Sequence, residues 1–127
     1  MKAFIFSIIL LASLGCQAAN LTESVSIINL ISTPQNYEGK KVRIVGIVKI
    51  EFEGNAIYLT PSDLKNLNYK NGLWLTLKND QVAGFKKFSG KIVLVEGVFS
   101  AKKKGHLRLW SGSISEISRI EEHPKSK

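Results

Sequence analysis

Two stretches of the chain repeat one pattern, and no other feature limits the fold as much. Tyr37-Glu-Gly-Lys-Lys-Val-Arg-Ile-Val-Gly-Ile-Val48 lines up with Phe88-Ser-Gly-Lys-Ile-Val-Leu-Val-Glu-Gly-Val-Phe99, and both read aromatic-x-Gly-Lys-x-Val-x-apolar-x-Gly. Runs rich in β-branched residues behind a turn signal are strands. Each copy is entered through a tight glycine turn, and each carries a second glycine in mid-strand, where a strand bulges or bends sharply. Two copies do not make a solenoid, which needs at least three. They specify two strands in equivalent roles, long and bent, as a small closed barrel requires.

The remaining elements arrange themselves around that pair. Lys41–Ile50 is the first strand, Glu53-Gly54-Asn55 a turn, and Ala56–Thr60 the second strand. Pro61–Asn66 reads as one or two helical turns, with proline near the start, where its missing N–H costs nothing. Leu73–Lys78 alternates as a third strand, and Asn79–Ser89 is a polar connector with a short helix at Gln81–Phe88. Lys91–Ser100 is the fourth strand and Ala101–Gly105 a basic turn. A fifth strand starts at His106–Ser111 and runs irregularly through Gly112 to Ile120. Ahead of the strands, Asn20-Leu-Thr-Glu23 has capping-box spacing. Ser24–Ser32 then reads as a short amphipathic helix ended by Pro34, with Leu21, Val25 and Ile28 on one side and Ile27, Leu30 and Ile31 widening that face. A face this broad is core packing.

Five strands, the first and fourth long and bent, are the pattern of the OB-fold. The expectation is a mainly β fold: a five-stranded OB-fold-like Greek-key barrel with a short N-terminal helix and a short helix between strands two and three. The run from Tyr37 to Gly46, the Leu73-Trp-Leu strand, and Gly90 to Gly97 followed by Gly105-His106 resemble small exported bacterial OB-fold proteins, and distantly the anticodon-binding type of OB domain. The likeness covers roughly Val25–Ile120 and rests on structural glycines and strand residues. It implies a fold and no catalytic residues, and a fold does not license a function.

Met1–Ala18 reads as an export signal, with Lys2 as its charged start and Ala3–Leu14 as its apolar run. Twelve helical residues reach about 18 Å, short of a hydrocarbon core of roughly 30 Å. Cys16-Gln17-Ala18 suits a cut after Ala18 and a soluble product. Cys16, preceded by glycine just past the apolar run, also resembles a lipoprotein box, although Ser13 and Leu14 stand where such boxes favour an aliphatic and a small residue. The alternative product is therefore lipid-anchored at Cys16, and only that product would meet a membrane. Residues 19–120 form the barrel domain, and Glu121–Lys127 a charged, frayed tail. One cysteine excludes a disulfide-stapled fold.

Strand alternation selects the side chains that face outward. On the fifth strand Leu107 and Leu109 point inward, and His106, Arg108 and Trp110 outward; on the third, Leu73, Leu75 and Leu77 take the core and leave Trp74 and Thr76 outside. Val42 and Ile44 face the core on the first strand, Lys41 and Arg43 do not, and Tyr58 is the outward residue of the second. Arg43, Tyr58, Trp74, Arg108 and Trp110 would mix cations with stackable rings, the equipment with which OB-folds hold single strands, sugars or peptides. Against this, a tryptophan on a barrel strand often packs under a helix or a long loop. The formal charge is +8, from 18 basic and 10 acidic residues. Lys102, Lys103 and Lys104 form a basic rim at a turn, read either as an anion-attracting site or as solubility and edge protection.

Catalysis finds no support in the sequence. His106 and His123 are the only histidines, no cluster has metal-ligand spacing, and Asp63 and Asp80 read as helix-start and turn residues. Glu51 and Glu53 flank an open hairpin tip. The expected protein is a monomeric, non-enzymatic binding module of the bacterial envelope or periplasm without a cofactor or metal. Its expected partner is an anionic glycan or an envelope protein. The alternatives are a single-stranded nucleic acid, or a place as a structural subunit.

Overall fold

The computed structural model describes residues 21–124. The segment read as an export signal, Cys16, Asn20 and the end of the tail lie outside those residues. The strands are β1 (Glu23–Ser24), β2 (Lys41–Lys49), β3 (Ala56–Tyr58), β4 (Gly72–Leu75), β5 (Ile92–Ser100) and β6 (Ser113–Glu122). The helices are α1 (Ile27–Ser32), α2 (Pro61–Lys65) and α3 (Asn79–Phe85).

Strands β2 to β6 close in the order β2-β3-β4-β6-β5, and β5 pairs back onto β2. The β4–β6 pairing is parallel and the other four are antiparallel. This is the expected five-stranded, OB-like barrel. Its interior is filled from alternate strand positions, with Val42, Ile44, Ile57, Leu73, Leu75, Val93, Val95 and Phe99 all buried. Ile27 and Leu30 of α1 join that core, and Val82 and Phe85 of α3 pack against it.

The repeated sequence is an antiparallel pair that reads the same from both ends. Ile44 and Val95, equivalent in the two copies, lie opposite each other; Val42 faces Gly97, and Gly46 faces Val93. Each entry turn then ties down the far end of the other copy's strand. Gly39, at φ +73, donates to the Phe99 carbonyl, and Gly90, at φ +83, donates to the Val48 carbonyl. The residue before each glycine completes the clamp. Glu38 accepts from the Ser100 hydroxyl and the Ala101 amide, both at 2.7 Å, and Ser89 accepts from the Ile50 amide at 3.0 Å. The mid-strand glycines let a neighbouring strand come close: a Cβ on Gly46 would stand 2.5 Å from the Tyr58 carbonyl oxygen, and one on Gly97 2.6 Å from the Ser115 carbonyl oxygen.

Several expected boundaries move. The N-terminal helix starts at Ile27 and not at Ser24, because Ser26 caps it by accepting from the Ile28 amide, while Glu23–Ser24 pair in parallel with Val42–Arg43. Leu21 and Ile28 are consequently exposed. The helix expected at Gln81–Phe88 is α3 followed by a 3-10 turn at Lys86–Phe88. The largest change concerns the fifth strand. His106–Arg108 is a 3-10 turn in a long loop, and β6 begins only at Ser113. At the other end, Glu121 and Glu122 are not frayed: they pair with Leu94 and Val93, and Lys91 lies 3.1 Å from Glu122.

Gly97→Ala should destabilise the protein by about 1–3 kcal/mol, the usual cost of overpacking. Gly84→Ala, on α3 with open space around it, should be neutral or raise stability by up to about 1 kcal/mol. Urea denaturation of the two variants measures the contrast.

Candidate functional site

The rings come together on the outer face of β3 and β4. Register places Ala56 opposite Trp74 and Tyr58 opposite Gly72 on that face. The face is not open. The β5–β6 loop, residues 101–112, folds across it and inserts Trp110, which is only 2% exposed. Trp110 meets Trp74 edge-on at 4.9 Å and Tyr69 at 5.0 Å between ring centroids, and its Nε1–H donates to the Tyr58 hydroxyl at 3.3 Å. Burial pushes the Tyr58 phenol up, and the bond from Trp110 partly offsets that. Gly105 lies flat on the Trp74 ring, where an added Cβ would stand 2.5 Å from it.

Local chemistry positions each part of this cluster. Asp63 accepts from the Thr60 hydroxyl at 2.7 Å and from the Asn68 and Asn71 side-chain amides at 3.0 Å. These bonds, the Thr60 hydroxyl foremost, hold its carboxyl below the ordinary range and fix the segment that brings Tyr69 to Trp110. Glu38 anchors the start of the β5–β6 loop. Its carboxyl is lowered mainly by the Ala101 amide and then by the Ser100 hydroxyl. Inside the loop the Trp110 amide donates to the Lys104 carbonyl at 3.2 Å.

The loop ends its crossing against the β2–β3 loop. His106 Nε2 stands 3.3 Å from Glu53 Oε2, an ion pair whenever the imidazole is protonated. On either side of this contact an apolar side chain projects into water: Phe52 is 91% exposed and Leu107 is 76% exposed. The backbone beside them is left-handed, with φ of 52° at Glu53, 53° at Leu107 and 57° at Arg108. Each such residue costs roughly 1–2 kcal/mol. Burying a ring the size of Trp110 stabilises by about 3–5 kcal/mol, an amount of the same order as that strain. Closure does not explain a leucine at position 107, because asparagine or glycine would adopt the same backbone at lower cost. A hollow of about 290 Å³ next to Phe52 is lined by Ile50, Asn55, Val82 and Lys86.

The structure therefore brings together Tyr58, Trp74 and Trp110 but turns them inward. Tyr58 and Trp110 are buried and Trp74 is partly covered. Alternation failed for Trp110 because residues 106–110 are not a strand, and for Tyr58 because the outer face of its strand is roofed. Arg43 is not with the rings. Its Nε donates to Glu96 at 2.7 Å, while Arg119 reaches the same carboxylate at 3.2 Å, a cross-strand triad in register on β2, β5 and β6. Arg43, followed by Arg119, holds the Glu96 carboxyl below the ordinary range. Arg108, Lys102 and Lys103 are exposed on the loop, and Lys104 is partly covered. Phe52, Glu53, Tyr69 and Leu107 were not selected from the sequence as contact residues. An aromatic residue between two glutamates at a turn was a signal for Phe52; Tyr69 stands in a polar segment without one.

Among the described residues, no three His, Cys, Asp or Glu side chains gather as a cation site needs. Compared with protein-family models, curated proteins and solved structures, the chain finds no match.

The Glu38 clamp has a pH signature. A carboxyl lowered by folding stabilises above its unfolded pKa of about 4.3, and that contribution is lost as pH falls through the folded value. Glu38→Gln should cost about 1–2 kcal/mol at pH 7, and its deficit against wild type should shrink below about pH 4. Denaturation midpoints at pH 7 and pH 3 measure both. A deficit that is unchanged at pH 3 would exclude the carboxylate as the cause.

Proposed function

We propose that this chain is an exported, non-catalytic binding module of the bacterial cell envelope, and that it binds through the crest where the β2–β3 and β5–β6 loops meet. One observation carries the reading: Phe52 and Leu107 stand exposed on two loops joined by Glu53 and His106, and loop closure does not require an apolar side chain at position 107. The N-terminal export signal and the excess of basic residues support the envelope setting. Arg108, exposed next to Leu107, supplies a cation beside the crest.

Tyr58 and Trp110 are covered, which removes the open stacking platform that a single strand or a stacked sugar would use. The partner that fits is an anionic envelope surface, protein or lipid, able to accept apolar side chains. A photo-crosslinking residue at Phe52 or Leu107 should form adducts in the intact envelope, and one at Gln35, exposed at the opposite end of β2, should not. Tryptophan emission should stay unchanged when a mixed-sequence single-stranded oligonucleotide is added. Saturable, salt-sensitive quenching lost in Trp74→Ala would overturn the reading in favour of nucleic acid. Adducts as frequent at Gln35 as at the crest, or at neither, would refute the crest as the contact surface.

A further inference from the structure

Beyond the crest, we infer that residues 102–110 form an autoinhibitory lid. Trp110 fills a slot on the outer face of β3 and β4 that, with the lid open, takes one flat ring of a small heteroaromatic molecule. The slot belongs to the sheet and its flanking segment, not to the loop. Ala56 and Gly72 keep its floor low: a Cβ on Gly72 would stand 2.9 Å from the Tyr58 ring and 3.2 Å from Trp110 Cδ1. Trp74 and Tyr69 wall it edge-on, and the Tyr58 hydroxyl accepts the Trp110 Nε1–H at 3.3 Å. The recess therefore selects a single planar ring with an N–H donor at its edge. Ala56, Tyr58 and Trp110 form a buried cluster of their own, separate from the barrel interior. Lifting Trp110 out leaves that interior covered.

The loop is tied at both ends and loosely held between them. At its start Glu38 accepts from the Ala101 amide at 2.7 Å. At its end the Ser111 amide donates to the Gly72 carbonyl at 3.2 Å, the Ser111 hydroxyl donates to the Lys70 carbonyl at 2.5 Å, and the Gly112 carbonyl accepts from the Trp74 amide at 2.9 Å. Among the described residues, the backbone of residues 103–110 hydrogen-bonds only within the loop: Arg108 to Gly105, Leu109 to His106 and Trp110 to Lys104. Its hold on the barrel is contact without backbone bonds. Trp110 and Leu109 pack in the ring cluster, Gly105 lies on the Trp74 ring, and His106 Nε2 stands 3.3 Å from Glu53. Against that hold stand two consecutive left-handed residues, Leu107 and Arg108. Gly105, at φ 70° and ψ −161°, adopts a conformation essentially restricted to glycine. The strain relieved by opening and the packing lost are of the same order, which gives the segment two accessible arrangements.

Native-state hydrogen exchange of the full chain, in mildly acidic buffer, tests both parts. The amides of Arg108, Leu109 and Trp110 should exchange together, through an opening about a hundredfold or more better populated than the one that frees β5 and β6. Glu53→Gln should raise their exchange about two- to fivefold, the worth of an exposed ion pair. Gly105→Ala, whose Cβ would stand 2.5 Å from the Trp74 ring, should raise it about tenfold or more. Both variants should leave the β5 and β6 amides protected as in wild type, which shows that the barrel is folded. Free indole, the probe of the slot, should compete with Trp110 and speed the three lid amides increasingly with its concentration, and at lower concentration in Gly105→Ala. Cyclohexanol, neither planar nor an N–H donor, should not. Lid amides that exchange only when the barrel unfolds, or that ignore Gly105→Ala, would overturn the lid. Exchange that is indifferent to indole, or that answers equally to cyclohexanol, would overturn the slot as a ring site.

Discussion

Everything else in the molecule depends on the reciprocal pairing of β2 with β5. Register sets each mid-strand glycine opposite a valine of the other copy, so both strands bend where a neighbour must come close: Tyr58 against Gly46, and Ser115 against Gly97. Those bends let β2 pair with β5 over its first part and with β3 at its end, which closes the barrel. A side chain at either glycine would push against backbone carbonyls, the least yielding neighbours available. The turn glycines then lock the pair, since each donates to the far end of the opposite strand.

The two clamps are chemically unequal, and their inequality shapes the surface. Ser89 gives the end of β2 a neutral hydroxyl acceptor, whereas Glu38 gives the start of the β5–β6 loop a carboxylate with two short bonds. A charged acceptor makes the stronger hydrogen bonds. From that anchor the loop crosses the outer face of β3 and β4, seats Trp110 among Trp74, Tyr69 and Tyr58, and arrives at Glu53. The surface that an open OB-like barrel would present to a ligand is thereby filled from within.

How much of this was legible in the sequence follows from the range of the interactions involved. The paired strands, their glycine turns, the inward Leu73 and Leu75 and the structural role of Asp63 all rest on local pattern, which sequence carries well. His106-Leu-Arg-Leu-Trp110 alternates like a strand, but burial of Trp110 and contact of Gly105 with Trp74 outweigh that pattern and put Leu107 and Arg108 in left-handed backbone. The same event turned Tyr58 from an outward ring into a buried one. The basic residues at 102, 103 and 108 were legible as exposed cations. The apolar tips were not, because their significance depends on two loops distant in sequence meeting at Glu53 and His106.

The central claim is that the ring face is closed in the free protein, so that the aromatic cluster offers no open stacking surface. Collisional quenching by acrylamide in Trp74→Phe, which leaves Trp110 as the only indole, tests it most directly. The account predicts blue-shifted emission and quenching far below that of a solvent-exposed tryptophan. Red-shifted emission quenched as readily as free indole would contradict it, because the loop would then be open and the rings available for stacking.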